Sequence, residues 1–85
     1  MVPIHPGRIL RRELAARGMS ANRLALALRV PSGQITSILN GRRAISADTA
    51  LRLARHLGTS AQFWLNLRTR YELTVAERDR HLLGL

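Results

Sequence analysis

The chain reads as all-α, a compact five-helix domain with a short further helix at its C-terminus. Apolar residues recur at helical spacing almost throughout, and β-branched residues never cluster in alternating runs. A proline, a capping residue or a glycine stands at most of the positions where a helix would begin or stop. Length and composition agree. Eighty-five residues, 46% hydrophobic and 22% charged, suit one globular domain spanning 1–85 rather than a disordered tail. Folding such a chain removes roughly 60% of the unfolded surface from water, which is one modest core. The absence of cysteine excludes disulfide staples, thiol catalysis and cysteine-ligated zinc, so stability must come from helix packing or oligomerisation.

The first helix starts with Pro6, where a missing N–H costs nothing, carries Ile9, Leu10 and Leu14 inward, and stops at Gly18. Ser20 caps the second, whose stripe is Leu24, Ala25 and Leu28. Pro31 opens the third, with Ile35, Ile38 and Leu39 inward, and Asn40-Gly41 ends it in a left-handed turn. Ser46 caps the fourth, Asp48 sits in its first turn where the helix dipole favours an anion, and Gly58 stops it after Ala50, Leu53, Ala54 and Leu57. Ser60 begins the fifth, which holds every aromatic residue of the chain: Phe63, Trp64 and Tyr71. Thr74 and Glu77 have capping-box spacing and predict a separate last helix carrying Leu82 and Leu83.

Charge is the strongest compositional signal. Fourteen basic residues against 5 acidic give +9, and all of the basic residues are arginine. Polyanions are the expected partners, since the planar arginine fork suits phosphates and guanine edges. No apolar run approaches membrane-spanning length, and the N-terminus lacks the basic-then-apolar order of a signal peptide. The expected location is the cytoplasm, at the nucleoid when bound to DNA.

The second and third helices carry the informative pattern. Leu24, Ala25, Leu28, Val30, Ile35 and Ile38 match a helix-turn-helix, in which the small Ala25 lets the two helices cross closely. The outward face of the third helix presents Ser32, Gly33, Gln34, Thr36, Ser37 and Asn40, polar and short-chained, with no carboxylate between Val30 and Ala47. Such a face can enter a DNA groove. Gln34 and Asn40 have the bidentate chemistry that reads adenine, the hydroxyls can contact bases or phosphates, and Arg42 and Arg43 can grip backbone or guanine. A merely solvated helix face would more usually carry Glu and Lys.

Four segments then carry a family likeness: His5-Pro6-Gly7 ahead of Ile9-Leu10; Val30-Pro31 through Asn40-Gly41-Arg42-Arg43-Ala44-Ile45; Ser46 through Ala54; and Gly58-Thr59-Ser60 followed by Phe63-Trp64-Leu65-Asn66-Leu67. Across nearly its whole length the chain resembles the Cro/repressor-like (XRE) helix-turn-helix proteins, with their lambda-repressor-like fold, and among them the HigA/VapI-type antitoxins. The resemblance implies a DNA-binding homodimer that represses its own operon, and a RelE-like partner toxin of the HigB type that cleaves mRNA at the ribosome. Two positions depart from the pattern. Ala21 stands where relatives commonly have Gln, leaving Asn22 or Arg23 to make the phosphate contact, and Arg29 stands where the turn commonly has Gly. A left-handed backbone at a non-glycine residue costs about 1 kcal/mol.

One small module makes too few contacts to find a site, so a homodimer is expected, placing two recognition helices on an inverted repeat with half-sites roughly 10 base pairs apart or a multiple. The dimer surface is assigned to Phe63, Trp64, Leu67 and Tyr71 with Leu82 and Leu83, and the toxin contact to the segment from Met1 to Arg12. No catalytic group, metal site or cofactor is expected. His5, His56 and His81 are scattered over different segments, Glu77 and His81 alone make too weak a pair for a metal, and no glycine-rich phosphate loop is present. The alternatives are a stand-alone regulator of the same fold and a helical module that binds protein or RNA.

Overall fold

Chemistry at the helix ends sets the architecture. The computed structural model describes residues 2–82 and residue 84, without the side chain of Leu82. Its helices are α1 (Pro6–Ala16), α2 (Ala21–Leu28), α3 (Ser32–Leu39), α4 (Ala47–Leu57) and α5 (Ala61–Leu82). Ser20 accepts from the Arg23 N–H at 3.1 Å, Ser46 from Thr49 at 3.1 Å and Ser60 from Phe63 at 3.0 Å, each satisfying a donor that its helix leaves without an internal partner. Pro31 stands one residue outside α3 as its cap, and α3 has no side-chain cap at all.

α2 packs on α3, α4 packs on α5, and α1 bridges α3 and α5. The core they share is Leu10, Leu14, Leu24, Ala25, Leu28, Ile35, Ile38, Ile45, Ala50, Leu53, Leu57 and Trp64. Ile45 comes from the loop before α4, outside any periodic stripe, and is fully enclosed. The sequence His5-Pro6-Gly7 has a structural purpose. Pro6 is the first helical residue, the His5 Nδ1 accepts from the Gly7 N–H at 2.9 Å, and a Cβ on Gly7 would overlap the carbonyl of Ile38. Glycine at this position lets α1 press against the end of α3.

The C-terminal expectation is corrected. No sixth helix starts at Thr74: α5 runs through it unbroken for 22 residues, and the Thr74 hydroxyl donates back to the Arg70 carbonyl at 2.8 Å. Capping-box spacing also occurs in helix interiors, and with no glycine or proline between Ala61 and Leu82 nothing interrupts the hydrogen-bond ladder. At 1.5 Å per residue such a helix spans roughly 33 Å. It therefore reaches beyond the core, which gives the molecule its 45 × 22 × 21 Å extents. Among the described residues no helix is long and apolar enough to cross a membrane.

Candidate nucleic-acid interface

The turn between α2 and α3 brings the two helices together. Arg29 adopts the left-handed conformation (φ 59°), so the turn keeps its glycine-type shape although the residue carries a side chain. The Arg29 and Val30 N–H groups return to the carbonyls of Leu26 and Ala25, at 3.2 and 3.1 Å. Leu24, Ala25 and Leu28 then meet Ile35 and Ile38 in a sealed contact. With its isoleucines inward, α3 presents Ser32, Gly33, Thr36 and Asn40 to solvent, and Ser37 is half-buried. A Cβ on Gly33 would meet nothing within 4 Å, so internal packing does not require glycine there.

Asn22 and Arg23, in the first turn of α2, are exposed, as are Arg42 and Arg43 beyond α3. Gly41 (φ +75°) turns the chain at the end of α3, and the Arg42 N–H closes that turn on the Ser37 carbonyl at 2.9 Å. The arginines therefore flank a polar helix face that holds no carboxylate. Asp48, the first acid beyond it in sequence, is engaged by the Arg52 Nε at 2.9 Å.

Gln34 occupies a different setting from its neighbours. It is half-buried, and its Nε2 donates to the Thr49 Oγ1 at 3.0 Å. Thr49 is the buried polar residue of the core, and the Ser46 hydroxyl reaches the same Oγ1 at 3.1 Å. Helical periodicity placed Gln34 on the outward face; its partner lies 15 residues away, beyond the reach of any local pattern.

The residues assigned to a dimer stripe are divided by the structure. Trp64 is a correction: it is completely enclosed, its indole N–H donates to the Thr59 Oγ1 at 2.8 Å, and it belongs to the core. Tyr71 turns toward the same molecule, meeting the His5 ring edge-on at 4.9 Å. Phe63 remains on the surface, edge-on to Trp64, and Leu73 is exposed further along α5, while Leu67 is half-buried against the core. The side chain of Leu82 and the whole of Leu83 lie outside the described residues.

Sequence reasoning missed how many arginines brace the fold. The Arg17 guanidinium donates to the Leu57 carbonyl at 2.8 Å and pairs with Glu13, Arg52 donates to the Leu28 carbonyl at 2.6 Å, and Arg68 to the Ile45 carbonyl at 3.3 Å. Arg11 reaches the Leu39 carbonyl at 3.4 Å. These carbonyls lie at helix ends or in loops, where helices leave acceptors open and cations are favoured. His5 completes the bracing: it joins α1, the Arg43 backbone and Tyr71 of α5. Burial holds the His5 imidazole below the usual histidine range, and its hydrogen bond to the Arg43 backbone acts in the opposite direction. Among the described residues no group of three or more His, Asp or Glu side chains is placed to hold a metal ion.

Residues 10–64 match the family described as helix-turn-helix. The chain belongs to that family, in its Cro/repressor-like (XRE) type. Virulence-associated protein I of Dichelobacter nodosus is 49% identical over the whole chain and 80% of its own length. More particularly, the structural neighbours are HigA-family antitoxins. An addiction module antidote protein of a HigA family from Coxiella burnetii is 51% identical, with a TM-score of 0.91 over 95% of this chain and 89% of that one. The Pseudomonas aeruginosa antitoxin HigA, solved with the higBA promoter, is 44% identical, with a TM-score of 0.91 over 96% and 90%.

Proposed function

We propose that this chain is a DNA-binding antitoxin that occupies an inverted-repeat operator as a homodimer, represses its own operon and neutralises a HigB/RelE-like mRNA-cleaving toxin. The observation that carries the reading is the exposed, carboxylate-free face of α3 flanked by Arg23, Arg42 and Arg43. The similarity to a HigA solved with its promoter supports it. Ser32, Gly33, Thr36, Ser37 and Asn40 face the major groove, with Gln34 on the flank of the same helix, and read base edges. Asn22, Arg23, Arg42 and Arg43 hold phosphates, giving affinity without sequence information. Repression follows from occlusion of the promoter.

Pairing two copies is assigned to the outer side of α5, where Phe63 and Leu73 are exposed and Leu67 is half-buried. The toxin contact is assigned to the N-terminal segment through Arg12, on which Val2 and Ile4 are exposed. Binding to DNA upstream of the chain's own gene, compared with a scrambled duplex, tests the DNA half of the reading. The native mass of the tagged protein recovered from its own cells tests the other half. A second small protein in fixed stoichiometry supports neutralisation; a homodimer alone, even after mild crosslinking, leaves a stand-alone regulator.

A further inference from the structure

We propose that Gln34 is a positioning residue and not a base reader: through Thr49 it locks the roll of α3 to the N-terminus of α4, so that the base-facing helix and the loop bearing Arg42 and Arg43 dock on DNA as one body. The proposal rests on the DNA-binding reading given above.

The Gln34–Thr49 contact is the one hydrogen bond between side chains distant in sequence among the described residues; the others join residues at most five apart. Its acceptor is rigid. Thr49 is 1% exposed, and its backbone N–H donates to Ser46 Oγ, whose hydroxyl returns to the Thr49 Oγ1. Gln34 is thus fastened to the cap of α4, not to a mobile surface group.

The recognition helix needs such a fastening. It has eight residues and no side-chain cap, and it is held from below by Ile35 and Ile38. Packing of Ile35 and Ile38 holds the helix on the core, but the hydrophobic term itself carries no direction that would select one roll angle among closely similar ones. A hydrogen bond is directional, and one placed on the flank of the helix fixes that rotation. The groove-facing side chains are short, so a small roll removes several contacts together. Reading adenine through both amide atoms requires the Gln34 amide to turn outward and give up its bond to Thr49, whose buried hydroxyl then keeps only the Ser46 contact.

The test uses a duplex selected from a random pool by the wild-type protein, with its single-base-pair variants and a scrambled control. Gln34→Ala and Thr49→Val should each weaken the selected duplex about 3- to 10-fold, the equivalent of one net hydrogen bond. The loss should spread evenly over the half-site positions, and scrambled DNA should be affected less. The double variant should be no worse than the weaker single one, and Thr49→Ser should restore wild-type binding. Loss of preference at a single position for Gln34→Ala, with Thr49→Val binding as wild type, would overturn the proposal and return Gln34 to base reading. Lowered thermal stability with an unchanged ratio of selected to scrambled affinity would also overturn it. A wild-type protein that selects no sequence would overturn the DNA-binding reading itself, an outcome separate from either of these.

Discussion

Arg52 Nη1 lies 2.6 Å from the carbonyl oxygen of Leu28, joining the middle of α4 to the last residue of α2. The left-handed turn at Arg29 ends α2, and the Leu28 carbonyl is left without a helical partner. Arg52 supplies a charged donor to it while its Nε holds Asp48. The carbonyl contact is the more valuable, because the ion pair is largely exposed and such pairs contribute little. Arg52→Ala should lower stability by about 1–2 kcal/mol in urea unfolding, whereas Asp48→Ala should lower it by no more than about 1 kcal/mol.

Arg29 carries the left-handed backbone of the turn at a cost that glycine would not incur. Arg29→Gly should therefore raise stability by about 1 kcal/mol without moving the helices. An upward shift of the thermal midpoint with unchanged helicity checks this. A downward shift would mean that the arginine side chain contributes more than the backbone loses.

Gly7 permits the close approach of α1 to the Ile38 carbonyl. Gly7→Ala should destabilise the fold by about 1–3 kcal/mol, the usual range for forcing extra volume into a packed contact, despite the better helix propensity of alanine. The strain falls on the end of α3, so binding to a selected duplex should weaken more than binding to a scrambled one.

His5 makes stability depend on pH in a defined direction. Its Nδ1 must be unprotonated to accept from the Gly7 N–H, and burial lowers its affinity for a proton in the folded state. The unfolded chain, titrating near the ordinary value of about 6.5, then binds a proton more readily than the folded one. This contribution is intact above that pH and is lost as pH falls from there toward the lower folded value. His5→Asn keeps a capping oxygen but cannot titrate, so it should flatten the acid side of the stability profile below about pH 6.5. An acid slope as steep as wild type would refute this assignment.

Much of the fold is legible in the sequence because helix ends are local. Ser20, Ser46, Ser60, Gly41 and Gly58 act on residues within a few positions of themselves, and each performs the role that its spacing indicates. Thr74 misleads for the same reason, since its local spacing is that of a cap and only the uninterrupted chain on both sides decides otherwise. Periodicity identifies the stripe containing Trp64, but it cannot say whether the stripe faces the protein's own core or a second molecule; here Trp64 faces the core. Net charge is similarly silent on use. Arg17, Arg52 and Arg68 reach carbonyls 23 or more residues away, so their structural role has no local signature, while Arg23, Arg42 and Arg43 stand exposed around α3. Gln34 combines both lessons: its face is readable, its partner is not.

If the protein acts as proposed, the outward face of α3 reads duplex DNA from a two-fold protein. Fluorescence anisotropy on a selected inverted repeat, a scrambled duplex and single-stranded RNA, repeated from about 50 to 200 mM salt, tests it most directly. Two protomers should bind the repeat with half-site centres roughly 10 base pairs apart or a multiple, at least about 10³-fold more tightly than the scrambled duplex. Arg43→Ala should weaken both duplexes alike and reduce the log–log salt slope by about 1. Equal affinity for the two duplexes, or a preference for single-stranded RNA, would contradict the account.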